Sequence, residues 1–151
     1  MAPPFSLPPP PENPAIRETT EIRVSYRDTD QMGHVYYAQY FVWFERGRTE
    51  WLRSRGRAYR EMERDGVYLP VAESWCEYLR PAFYDDLIHV VTWIAELRRV
   101  SLRFGYEILC PARGGERLAR GFTRHGFVDA NRRPAAPPED WMRLLREGKA
   151  T

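Results

Sequence analysis

Residues 26–53, YRDTDQMGHVYYAQYFVWFERGRTEWLR, constrain the chain more than any other stretch. A polar turn carrying Asp28, Asp30, Gly33 and His34 leads straight into a segment whose Tyr37, Tyr40, Phe41, Phe44, Trp51 and Leu52 recur at three- and four-residue steps. That spacing is one face of an α-helix, and Val42 and Trp43 widen it. A helix so apolar in its first half has to be wrapped by other elements rather than laid on a surface. Its later part turns polar, with Arg46 and Glu50 spaced to pair one turn apart. The pattern predicts a helix that starts near Val35 or Tyr36 and stops at Gly56.

The remainder supplies the wrapping. Thr20, Ile22, Val24 and Tyr26 alternate with polar neighbours, the period of a strand covered on one face. A short polar helix is expected over Ala58 to Asp65, closed by Gly66. Val67 to Phe83 is interrupted by Pro70 and Pro81, which confines it to a bend, a bulge or a sheet edge. Leu87 to Leu97 is apolar at both parities, as in a strand covered on both faces. Val100, Leu102, Phe104, Tyr106, Ile108 and Cys110 alternate cleanly. Gly114-Gly115 then makes a hairpin turn into a returning strand from Glu116 to Asp129. Trp141, Leu144 and Leu145 form the stripe of a terminal helix opened by Pro137-Pro138. Short connections favour about four consecutive antiparallel strands in a meander. The expected fold class is α+β: one antiparallel β-sheet wrapped around a long central α-helix.

With 151 residues and 43% hydrophobic content, one domain suffices, and 18–148 is its expected extent. Residues 1–17 are proline-rich and are expected to form an extended, disordered tail. A net charge of +2 gives no reason to expect nucleic acid, although Lys149 is the single lysine among 23 basic residues. Cys76 and Cys110 have neither metal-ligand nor redox spacing and are expected to be free, buried thiols. The first residues lack the basic start and apolar core of a secretory signal. No run is long enough for a transmembrane segment. A reduced, cytoplasmic protein is expected.

The juncture of turn and helix is the candidate active site. The first N–H groups of a helix have no intrahelical acceptor and carry a partial positive charge of about half a unit. At the Tyr36 and Tyr37 amides they would stabilise an oxyanion. Gly33 allows a sharp turn that brings the Asp30 carboxylate across from them, where it either attacks a carbonyl or draws a proton from water. A purely structural alternative is equally open: Asp28 or Asp30 as a helix cap or Asx turn. His34 is a candidate acid or base, with an orienting backbone role favoured. Glu45 has Arg48 one turn away as a partner for an internal ion pair.

The D-x-D-x-x-G-x-V-Y-x-x-x-Y run and the following F-E-R-x-R-T-E resemble the hotdog-fold acyl-CoA thioesterases, specifically the 4-hydroxybenzoyl-CoA thioesterase family and its YbgC-like branch. The resemblance extends over Glu21 to Asp129. It implies an antiparallel sheet around a central helix, a homo-oligomer that is a dimer or a dimer of dimers (a homotetramer), and hydrolysis of an acyl thioester to a carboxylic acid and free coenzyme A. It matches Asp30 to the family's catalytic aspartate, Tyr37 to the residue whose backbone N–H polarises the thioester carbonyl, and Gly33 to the turn glycine. Tyr37 stands where YbgC-like members often have histidine, and His34 where they are usually apolar.

Coenzyme A phosphates call for arginines. The resemblance places Arg99, Ser101 and Arg103 where relatives carry basic and hydroxyl residues, with Arg124, Arg132 and Arg133 as further candidates. Tyr40 and Phe41 are candidates to flank the acyl group. Neither a metal nor a cofactor beyond the substrate's own coenzyme A is expected. Two alternatives stand beside this reading: an acyl group carried on an acyl carrier protein, and a non-catalytic hotdog acyl-binding or scaffold protein.

Overall fold

The computed structural model describes residues 5–148. Strand β1 (Arg17–Arg23) leads through a short 3-10 turn (Tyr26–Asp28) to the long helix α1 (Gln39–Arg53) and the short helix α2 (Tyr59–Arg64). Strands β2 (Val71–Tyr78), β3 (Leu87–Leu97), β4 (Ser101–Cys110) and β5 (Glu116–Gly126) follow, and α3 (Glu139–Glu147) closes the chain. All pairings are antiparallel, in the order β1-β3-β4-β5-β2. The expected meander holds for β3, β4 and β5. It fails for β2, which crosses to the far edge to pair with β5, while β1 takes the free side of β3. Pro70 and Pro81 flank β2, and an edge position accommodates the donors that prolines lack.

The sheet curls around α1, whose Tyr40, Trp43, Phe44, Trp51 and Leu52 are buried. Phe44 stacks on Tyr106 of β4 at 4.2 Å, and Trp51 meets Phe104 edge-on at 6.0 Å. Helix and sheet approach closely at Gly47. A Cβ there would fall on Thr92 Oγ1 and lie 2.9 Å from Val90 Cγ1 of β3. Glu50 pairs with Arg53 rather than with Arg46. Cys76 and Cys110 are free thiols, Cys110 fully buried, and burial pushes the Cys76 thiol up to about 12.

A polar chain crosses the inner face of β4 and β5. Tyr106 Oη lies 2.6 Å from Thr123 Oγ1, which lies 2.8 Å from His125 Nε2, and His125 Nδ1 lies 3.1 Å from the Leu69 carbonyl. These contacts fit a neutral imidazole that donates from Nδ1 and accepts the Thr123 hydroxyl at Nε2. Burial lowers the His125 pKa to about 4.

The outer face carries a row of large side chains. Register aligns Arg17, Trp93, Gly105, Phe122 and Trp75 across all five strands. The proline-rich stretch runs over this row. The Phe5 ring meets Phe122 edge-on at 5.4 Å, beneath the Arg103 guanidinium at 4.2 Å, and Arg17 Nη1 donates to the Pro11 carbonyl at 3.1 Å. The first four residues of the expected tail lie outside the described residues.

Gly47→Ala is expected to cost about 1–3 kcal/mol through overpacking against β3, read by denaturant unfolding. His125 binds a proton more readily unfolded than folded, so stability falls with pH below about 6.5. The slope approaches ~1.4 kcal/mol per unit towards pH 5, and His125→Gln flattens it.

Candidate active site

The turn after β1 is a closed loop. Thr29 and Val35 form an antiparallel bridge, Asp30 N–H donates to the His34 carbonyl at 3.0 Å, and Gly33 N–H donates to the Asp30 carbonyl at 3.0 Å. Gly33 sits at φ +84° with nothing within 4 Å of an added Cβ, so the requirement is conformational rather than one of space. The two aspartates have different surroundings. Asp28 is buried and structural: Oδ2 accepts Ser25 N–H at 2.9 Å, and its carbonyl accepts Tyr36 N–H at 2.8 Å. Asp30 is half-buried, and its Oδ1 accepts Met32 N–H at 2.8 Å in an Asx turn. Its other carboxylate oxygen has no partner among the described residues.

Two expectations at the helix start need correction. Regular helix begins at Gln39, not at Val35 or Tyr36, because the Val35 and Tyr36 amides are drawn sideways to the carbonyls of Ala82 (2.8 Å) and Asp28 (2.8 Å). The Tyr36 N–H is therefore occupied and cannot serve an oxyanion. The first helical turn is opened by Gln39 N–H donating to the Tyr36 carbonyl at 3.0 Å. The amides of Tyr37 and Ala38 have no acceptor among the described residues. Residue-type reasoning missed Ala38, which has no side-chain signal; only the later helix start brings its N–H into the opening turn.

An open groove of about 490 Å³ joins these parts, lined among others by Asp30, His34, Tyr37, Tyr40 and Tyr78. Burial pushes the Tyr40 phenol up to about 12, which keeps it neutral at physiological pH. Its ring is edge-on to Tyr78 at 5.0 Å, and Tyr78 also meets Tyr37 edge-on. Phe41 lies outside this lining, beside Glu45 and Arg48 at a separate cavity of about 240 Å³. His34 lines the groove; its ring makes no hydrogen bond among the described residues, whereas its carbonyl holds the Asp30 turn. The groove thus brings together the Asp30 carboxylate and Tyr37, whose amide has no acceptor among the described residues.

The arginines expected near the substrate are not brought to this corner within one chain. Arg103 pairs with Arg124 across β4 and β5, while Tyr78 pairs with Ala119. From Ala119 to Arg124 the strand advances about 17 Å. Arg103 is held on the outer face by Glu96 at 3.3 Å and lies over Phe5, so its guanidinium is already engaged. Arg99 and Ser101 sit at the β3–β4 turn. Arg124 is paired with Glu73, and Arg132 and Arg133 are exposed on the loop after β5.

Comparison with known proteins places this geometry. Residues 24–145 match the family model of the thioesterase-like superfamily. YneP of Bacillus subtilis is 40% identical over 109 residues, covering 72% of this chain and 78% of that protein. The acyl-CoA thioesterase YbgC of Haemophilus influenzae is 31% identical over 121 residues, covering 79% and 87%. Among solved structures, the DHNA-CoA thioesterase of Staphylococcus aureus superposes with a TM-score of 0.78 at 29% identity, over 90% of this chain and 97% of that one. The sheet wrapped on α1 is thus a hotdog fold, and the chain belongs to the thioesterase-like superfamily, on its YbgC-like acyl-CoA thioesterase branch.

Proposed function

We propose that this thioesterase hydrolyses acyl-CoA in the Asp30 groove. The observation that carries the reading is that Asp30, with a half-free carboxylate, and Tyr37, whose amide like that of Ala38 beside it has no acceptor among the described residues, line one groove. The thioester carbonyl oxygen lies against the amides, which stabilise the negative charge that grows as the carbonyl carbon becomes tetrahedral. Asp30 supplies the other half. Its free oxygen either takes a proton from the attacking water or itself attacks, forming an acyl-aspartyl anhydride that water then opens. Either way the C–S bond breaks and the coenzyme A thiolate leaves, to be protonated in solvent. The products are a carboxylic acid and free coenzyme A. His34 orients the turn through its carbonyl rather than moving a proton.

The working unit is a homo-oligomer built on the open edge of β2. Among the described residues that strand pairs only with β5, and Val71 and Tyr78 at its two ends are exposed. Antiparallel pairing of two β2 strands about a two-fold axis sets the Tyr78 end of one copy beside the Val71 end of the other. A second copy thereby shortens the separation between the Asp30 groove and the Arg99–Ser101 turn, which anchors the coenzyme A phosphates. Arg99 has no ion-pair partner among the described residues and suits that task better than Arg103. No step in this route needs a metal ion or redox cofactor. Among the described residues no helix is long and apolar enough to cross a membrane, and two free thiols suit a reducing cytoplasm.

Asp30→Asn is expected to fold as the wild type and to lose at least a hundredfold in kcat, followed by thiol release over a panel of acyl-CoA substrates. Wild-type rates in that variant would remove Asp30 from the chemistry. Arg99→Glu is expected to raise KM for acyl-CoA about tenfold while leaving the matching N-acetylcysteamine thioester, which has no phosphates, unchanged.

A further inference from the structure

We infer that Tyr78 is a positioning residue for the oxyanion site, acting through the peptide that joins Tyr37 to Ala38; the inference rests on the catalytic reading above. Tyr78 is the last residue of β2, at the sheet edge opposite β1. Its hydroxyl donates to the Tyr37 carbonyl at 2.9 Å, across a separation of 41 residues in sequence. Among the described residues that carbonyl otherwise accepts only the Tyr40 amide, at a long 3.4 Å.

The pair of amides is thereby fixed from both sides. Upstream, Tyr36 N–H is tied to the Asp28 carbonyl at 2.8 Å, and downstream the Tyr37 carbonyl is tied to Tyr78. The Tyr37 N–H lies between these anchors, and the Ala38 N–H belongs to the same peptide unit as the carbonyl that Tyr78 holds. A hydrogen bond to a peptide oxygen polarises the N–H of that peptide, so Tyr78 both orients the Ala38 donor and strengthens it. The ring is steadied by edge contacts with Tyr40 and Tyr37 at 5.0 and 6.4 Å. Burial and the neighbouring Cys76 raise the Tyr78 pKa, so the hydroxyl stays a donor throughout the physiological range.

Such a role makes a distinct kinetic demand. Charge on the thioester oxygen grows only as the carbonyl is attacked, so a misaimed amide costs turnover rather than binding. Tyr78→Phe keeps the ring and its edge contacts and removes only the hydroxyl. It is expected to lower kcat about tenfold, with KM and the affinity for a non-hydrolysable acyl-CoA thioether within twofold of wild type. The melting temperature and oligomeric state should not change. An unchanged kcat would overturn the inference. So would a loss tracked by KM, thioether affinity, melting temperature or oligomeric state, since the hydroxyl would then serve binding or architecture. Asp30→Asn measured alongside separates the two claims: if it is inactive while Tyr78→Phe turns over at the wild-type rate, the Tyr78 inference alone falls. If Asp30→Asn is fully active, the catalytic reading falls with it.

Discussion

The hydrogen bond from Tyr36 N–H to the Asp28 carbonyl decides where the helix can begin. It holds the chain sideways at Tyr36, and regular helix begins only at Gln39. The next two amides, those of Tyr37 and Ala38, are left without an acceptor among the described residues, and Tyr37 lines the groove. Without that bond, Tyr36 would join the helical turn and the open donors would shift upstream. Asp28 thus shapes the site without touching it, being buried and tied to Ser25, while Asp30 two residues later faces the groove. Each carboxylate accepts one backbone N–H, and their tasks differ because Asp28 is buried while Asp30 is half-buried and lines the groove.

Much of the scaffold is legible from residue order. The β3 limits and the edge position of β2 follow from continuous apolar character and from flanking prolines. The expected helix stop at Gly56 is close to the observed one: α1 ends at Arg53, and the turn that follows it closes at Gly56 with φ +85°. Sheet order is less legible. Local spacing describes each strand singly, and the pairing of β2 with β5 is a long-range choice made by the curl of the sheet around α1. Side-chain types point to Asp30 and Gly33, but a backbone N–H, the group expected of Tyr37, has the same signature at every non-proline position. Whether Tyr36 or Ala38 is the open donor depends on carbonyls contributed from elsewhere. Tyr78 was invisible for a similar reason, since its partner is a main-chain oxygen reached only once β2 lies beside the start of α1.

Arginine placement carries a related lesson. A sequence with a single lysine offers many candidate phosphate ligands, and composition cannot rank them. In the fold, Arg103 and Arg124 are neutralised by Glu96 and Glu73 on the outer face, and Arg55 is buried over Trp51. Arginines engaged in this way stabilise the sheet by stacking as well as by charge. A cation left solvated at a turn, such as Arg99, is the kind that can exchange water for phosphate.

The segment that crosses the outer row has a practical corollary. Phe122 has no exposed surface, and Phe5 is among the rings that cover it. Trimming the chain to a start at β1, a natural choice if those prolines are taken for a dispensable leader, would strip the cover from an aromatic band on the back of the sheet. The shortened protein would carry a sticky surface that the chain with its proline-rich stretch does not, and its aggregation would be misread as a failure of the fold itself.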